Sequence, residues 1–228
     1  FVDKVIYYGV DKNSKSYTKD ELYDVTMPCP KCNGKLLYNY YHCETLGDYS
    51  CANCDFKRKK PNMEVTKLDY EKSFVTVNNE YKFNIPFNTL FEVYNSLAAF
   101  TVCSLIKLNL DEACNTISNM DPNLKIFNKY TINDRIVYVL NNKAENATTF
   151  NQSLLFVKRN KELKTLIIGW REISRRYNFD DLSWLYDIEF ELLNNDEIDK
   201  IVCIGPQAYD IATRLKYADI DESHIVVI

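Results

Sequence analysis

Apolar residues in the first part of the chain come in short runs of the length and type that strands use. Val5, Ile6, Tyr7 and Tyr8 sit in a run over Phe1–Val10 that closes at Gly9, and further runs cover Val65–Tyr70, Phe74–Val77 and Tyr81–Ile85. Asn78-Asn79 between the last two predicts a tight hairpin turn, so these runs predict a meander that flanks an insertion. At Phe91 the period lengthens. Phe91, Tyr94, Leu97, Ala98, Val102 and Leu105 recur at i, i+3 and i+4 intervals, the spacing of one helical face. A shorter helix is expected over Asp111–Met120, with Cys114 and Ile117 on its apolar side. Asp121-Pro122-Asn123 is the best linker, because the residue before proline is pushed out of helical backbone angles. Beyond it the pattern alternates: strand Ile136–Leu140, helix Asn151–Arg159, strand Leu166–Gly169, helix Ser183–Leu193, strand Ile201–Ile204, helix Gln207–Tyr217 and a terminal strand. Such alternation predicts βαβ units on a mainly parallel sheet. The fold class is α/β, with domains expected at 1–121 and 122–228.

Composition narrows the possibilities. With 228 residues, of which 46% are hydrophobic, the chain can bury a substantial core. No apolar run approaches the roughly 20 residues a membrane helix needs, and the N-terminus lacks a signal-peptide pattern. A soluble, cytoplasmic protein without a transmembrane segment is expected. The first residue is Phe1, and His224–Ile228 reads as a strand with no turn after it, so a piece of a longer protein is expected. A net charge of −4 argues against a chain-wide footprint for nucleic acid. The local exception is Lys57-Arg58-Lys59-Lys60. The five glycines form neither GxxxxGK[ST] nor GxGxxG, so these residues hold no phosphate cradle.

The strongest chemical signal is a pair of CxxC knuckles, Cys29-Pro-Lys-Cys32 and Cys51-Ala-Asn-Cys54, whose spacing fits a four-thiolate zinc site within a module at 24–61. Each knuckle bends sharply, which favours residues tolerant of positive φ just after the second cysteine; Asn33-Gly34 and Asp55 supply that. Four protein ligands leave no open position, so the zinc would be structural. His42 is then a surface residue or a neighbour of the ligands. The Lys57–Lys60 run offsets the formal charge of about −2 on zinc with four thiolates, or is simply solvated. Cys43, Cys103, Cys114 and Cys203 are scattered, as small core residues of a reducing compartment would be. Asp181 stands where a loop leaves a parallel strand and enters the expected helix. From pattern alone it caps that helix, and a catalytic role is the rival.

Five pieces in one order, Cys29–Cys32, Cys51–Arg58, Tyr94–Ala99, Asp181–Glu191 and Arg214–Ala218, resemble the MurT family, the ligase subunits of bacterial lipid II isoglutaminyl synthases. The resemblance implies the late part of a Mur-ligase-type ATPase domain with an inserted four-cysteine zinc ribbon, followed by an incomplete Rossmann-like C-terminal domain. It implies ATP and Mg as cofactors, a GatD-type glutaminase as partner and lipid II as substrate, whose D-glutamate becomes D-isoglutamine. Asp181 matches the family aspartate that completes the partner's Cys-His-Asp triad, and Asn95 matches an asparagine associated with adenine. Departures fall at Phe91-Glu92, where the family has Phe-Asn, and at Thr89, where it has glycine. Two alternatives from other classes are a degenerate, non-catalytic Mur-like protein that binds a partner, and a zinc-ribbon nucleic-acid binder using Lys57–Lys60.

Overall fold

A computed structural model describes residues 5–18, 27–43, 45–85, 89–120, 127–140, 147–170 and 182–228. The chain divides into two compact units, Phe1–Phe127 and Asn128–Ile228. The expected linker at Asp121–Asn123 lies outside the described residues.

In the first unit β1 (Tyr8–Val10) is followed by a hairpin of β2 (Leu36–Cys43) and β3 (Leu46–Cys51), and then by β4 (Met63–Asp69), β5 (Phe74–Val77) and β6 (Tyr81–Asn84). The strand order β1-β4-β5-β6 makes the hairpin an insertion between two neighbouring strands. β1 pairs parallel with β4, Val10 opposite Val65, while the three later strands form the antiparallel meander. Asn78 and Asn79 both take positive φ, 52° and 59°, as their hairpin turn requires. The first strand is shorter than expected: residues 5–7 lie outside it.

Helices α1 (Leu90–Leu105) and α2 (Leu110–Ser118) complete this unit. Asn109 caps α2, its side chain accepting from the amides of Asp111 and Glu112. Cys114 and Ile117 are buried on α2, as the pattern predicts. On α1 the buried stripe is Leu90, Val93, Leu97 and Phe100, whereas Val102 and Leu105 of the expected face are about half exposed. Both stripes satisfy helical spacing, because this helix is apolar on more than one side. The partner decides between them: Phe100 packs against Phe83 and Tyr81 of the sheet, ring centroids 5.4 and 5.3 Å away. The core unites Val10, Val65, Val75 and Val77 with Val93, Leu97, Phe100 and Ile117.

The second unit contains a hairpin of β7 (Phe127–Ile132) and β8 (Arg135–Leu140), then α3 (Ala147–Arg159), β9 (Lys164–Gly169), two 3₁₀ segments at Ser183–Asp187 and Phe190–Leu193, β10 (Ile198–Ile204), α4 (Ala208–Tyr217) and β11 (Ile225–Val227). β9, β10 and β11 form a parallel sheet with β10 central. Its Ile168, Ile201 and Cys203 are buried, as are Ile211, Ala212 and Leu215 of α4, which packs on the sheet. The parallel alternation thus holds for these elements. β8, however, does not join that sheet, for it pairs with β7, a strand the pattern did not announce. Asn133 and Asp134 at positive φ turn that hairpin.

A single helix over Ser183–Leu193 does not form. The buried positions there, Leu185, Ile188, Phe190, Leu192 and Leu193, include steps of two that no helical face can bury together. Side chains also take the backbone groups a helix would use. Asn151 donates to the Asp187 carbonyl at 3.3 Å and accepts from the Glu189 amide at 2.8 Å, and Arg214 donates to the Ile188 carbonyl at 2.8 Å. Ile188 itself is extended, with ψ 130°.

Candidate functional site

The two knuckles close the open end of the β2–β3 hairpin. Cys29 and Cys32 precede β2, Cys51 ends β3 and Cys54 lies just beyond it, while bridges from Pro28 to Lys35 and from Ser50 to Lys57 fold each knuckle back on its strand. The four Sγ atoms lie within 4.8 Å of one another and are the group able to hold a metal among the described residues. Cys29 and Cys54 are 3.7 Å apart, Cys32 and Cys51 3.5 Å. Tetrahedral zinc with Zn–S bonds of about 2.3 Å requires S–S edges of roughly 3.8 Å, so the residues fit the ion. The Lys31 amide donates to Cys29 Sγ and the Asn53 amide to Cys51 Sγ. Such donors stabilise thiolate, and the Asn53 amide is the chief cause that draws the Cys51 thiol down to about 7. At Cys54 the Phe56 amide pulls the same way, but burial and the adjoining sulfurs outweigh it and push that thiol up to about 12.

Positive φ after the second cysteine occurs at Asn33 (62°) but at neither Gly34 nor Asp55. Gly34 is needed for closeness instead, since a Cβ there would lie 2.8 Å from the Asn53 side chain of the other knuckle. Lys31 and Asp55 form an ion pair between the knuckles. Each holds the other's charge, raising the ammonium and lowering the carboxyl. Exposed as it is, the pair stabilises little.

Arg58 corrects the reading of the basic run. Its side chain is only 16% exposed and turns inward, donating to the Val10 carbonyl at 3.1 Å, to Glu64 at 3.3 Å and to the Tyr40 hydroxyl. Lys57, Lys59 and Lys60 remain exposed. The guanidinium crosses β1 at Gly9, where a Cβ would meet Nη2 at 2.7 Å. His42, expected at the surface or beside the ligands, is instead 1% exposed, with Nε2 3.2 Å from the Val10 carbonyl and Nδ1 3.2 Å from Ser16 Oγ. Tyr40 reaches the same carbonyl at 3.4 Å. Three side chains of the inserted module therefore converge on the last residue of β1. Nothing in the local pattern announces this convergence except a glycine opposite an arginine.

Asn95 is exposed on the second turn of α1, three residues after the buried Glu92. Asp181 lies outside the described residues, which resume at Leu182. Trp184 meets Trp170 at the end of β9 edge-on, centroids 5.3 Å apart, and Trp170 packs on Phe150 at 5.3 Å. Arg214, 6% exposed on α4, grips Glu191 at 2.8 and 3.1 Å, so two separate sequence pieces, Asp181–Glu191 and Arg214–Ala218, meet in space. Cys43, Cys114 and Cys203 are buried, as expected of core thiols, whereas Cys103 is only partly buried. No described helix is long and apolar enough to cross a membrane.

A pseudomurein peptide ligase type C from Methanothermus fervidus superposes with a TM-score of 0.65 over 100% of this chain and 42% of its own, at 17% identity. That likeness is one of fold, and it places the chain among α/β proteins. Residues 143–228 match the MurT ligase C-terminal family. The chain is 30% identical over 232 aligned residues, 98% of its length, to the lipid II isoglutaminyl synthase (glutamine-hydrolyzing) subunit MurT of Staphylococcus aureus (strain COL), and 26% identical over 201 residues, 82% of its length, to that of Streptococcus pneumoniae (strain ATCC BAA-255 / R6). By sequence, the chain matches the MurT family along 98% of its length. It spans 50% of the first relative and 42% of the second.

Proposed function

We propose that the chain is part of the ligase subunit of a glutamine-dependent amidotransferase that converts D-glutamate of the lipid II stem peptide to D-isoglutamine. The observation that carries this is the alignment of 98% of the chain, at 30% identity, with a relative named as a glutamine-hydrolysing lipid II isoglutaminyl synthase subunit. A Mur-ligase-like fold supports it. ATP with Mg, when bound, supplies the phosphoryl group that turns a carboxylate, a poor electrophile, into one that ammonia can attack. This chain's own contribution to the nucleotide is Asn95, whose exposed amide offers the donor and acceptor that adenine's edge needs. Zinc held by Cys29, Cys32, Cys51 and Cys54 keeps the inserted hairpin folded, and the sulfur spacing favours it. Asp181 orients the imidazole of a GatD-type glutaminase partner and stabilises it when charged.

The test is reconstitution of the full-length protein with its glutaminase, with the amidated fraction of lipid II as the readout. Product that requires both ATP and glutamine is expected. A complex that assembles and hydrolyses glutamine but neither binds ATP in a calorimeter nor amidates lipid II would instead establish the non-catalytic, partner-binding alternative. The inward turn of Arg58 removes one of the four cations of the basic run and weighs against the nucleic-acid alternative.

A further inference from the structure

We infer that the four cysteines form a redox-sensitive clasp, in which oxidation by a hydroperoxide replaces the metal with a disulfide across the two knuckles, Cys32 to Cys51, and leaves the hairpin closed; this rests on those cysteines holding zinc. The pairing of the sulfurs decides which bond forms. Sγ of Cys32 lies 3.5 Å from Sγ of Cys51, and Sγ of Cys29 lies 3.7 Å from Sγ of Cys54, so each close pair joins one knuckle to the other. Access separates the two pairs. Cys32 is exposed and Cys51 partly so, whereas Cys29 of the other pair is 1% exposed. A thiolate reacts where an oxidant can reach it, so oxidation starts at Cys32. Cys43, Cys114 and Cys203 are buried and lie outside the cluster.

The Cys32 thiolate attacks one oxygen of hydrogen peroxide; an S–O bond forms, the O–O bond breaks and hydroxide leaves, so that Cys32 becomes a sulfenic acid and the peroxide is reduced. The Cys51 thiolate then attacks the Cys32 sulfur, forming the S–S bond as the S–O bond breaks and a second hydroxide leaves. Cys29 and Cys54 remain, too few to complete a closed four-ligand site, and the metal is released. A bond within one knuckle, Cys29 to Cys32 or Cys51 to Cys54, would leave the end of the hairpin open. The cross-knuckle bond closes it where zinc did, beside the Leu36–Cys51 pair that ends the β2–β3 ladder. Tyr40, His42 and Arg58 thus keep their hold on the Val10 carbonyl, and a thiol reductant reverses the change.

Titrating the full-length, zinc-loaded protein with hydrogen peroxide tests this. Released metal is read with a chelating dye, the linked cysteines by peptide mapping without reductant, and the state of the hairpin by protease cleavage within Leu36–Cys51. Release of the bound zinc is expected, with Cys32–Cys51 as the first link and zinc binding restored by dithiothreitol. Cleavage of the oxidised protein should be about tenfold slower than after chelator treatment under reducing conditions, because the disulfide restrains the chain that the metal has left. A first link at Cys29–Cys32, Cys51–Cys54 or Cys29–Cys54 would overturn the clasp. So would zinc retained in excess peroxide, zinc lost to sulfinic acids without a disulfide, or cleavage as fast as in the chelator-treated protein. Protein that binds no zinc before peroxide is added would overturn instead the metal reading on which the clasp rests.

Discussion

The cysteine knuckles and the stretch Ser183–Leu193 are both irregular backbone where side chains distant in sequence come together, and those side chains span similar distances along the chain. Cys29 and Cys54 are 25 residues apart and Cys32 and Cys51 19 apart, against 23 to 38 for the Arg214 and Asn151 ties. Yet the first is legible in the sequence and the second is not. A thiolate site for zinc demands one residue type at a narrow spacing, so the ligands announce one another. A carbonyl tied by an arginine or an asparagine can be tied by many residues from many places, and nothing at either end specifies the other. Legibility tracks the chemical uniqueness of the crosslink, not its reach.

Stripping the metal is the most severe way to break that comparison. Apparent zinc-binding energies of about 10 kcal/mol or more are folding energy in such modules. Cys32→Ser should therefore lose bound zinc and unfold the hairpin, seen by metal analysis and protease sensitivity; a variant that keeps a full equivalent would exclude a four-thiolate centre. Asp181→Asn comes next. Glutamine hydrolysis by the assembled complex should fall by up to about 10⁴-fold, the cost of the corresponding change in a triad, while zinc content stays constant.

Arg58→Met sharpens the contrast from the other side, since Arg58 joins the legible hairpin to the sheet by an illegible contact. Losing its bonds to Val10, Glu64 and Tyr40 should cost about 2 kcal/mol and lower the melting temperature without releasing zinc. An unchanged melting temperature would show that the hairpin is docked by other means.

The smallest effect is expected at Glu92, whose burial raises its carboxyl pKa. Because the folded value lies above the unfolded one, its contribution is intact below the ordinary glutamate range and is lost as pH rises through the raised value. Glu92→Gln should thus be more stable than the parent at neutral pH, with the difference shrinking as pH falls. A pH-independent difference would assign the effect to something other than ionisation.

The asparagines at the β5–β6 turn, the strands Phe74–Val77 and Tyr81–Asn84, and the parallel alternation over β9, β10 and β11 were all legible, because local backbone preference and period-two burial suffice for them. The choice of buried stripe on α1 was not legible, since Leu90–Phe100 and Phe91–Leu105 satisfy the same spacing and only Phe83 and Tyr81 select between them. Nor was the convergence of Tyr40, His42 and Arg58 on one carbonyl.

By itself the sequence determined which four cysteines cluster, the order of most elements and the likeness to the MurT family, because each rests on residue identity and spacing along one chain. Tertiary structure alone decided which helix face is buried, where Arg58 points, and that Ser183–Leu193 is two short turns rather than a helix. Those outcomes depend on hydrogen-bond and packing partners brought together by folding, and the energy of such a contact resides in the pair, so neither residue carries it where it stands in the chain.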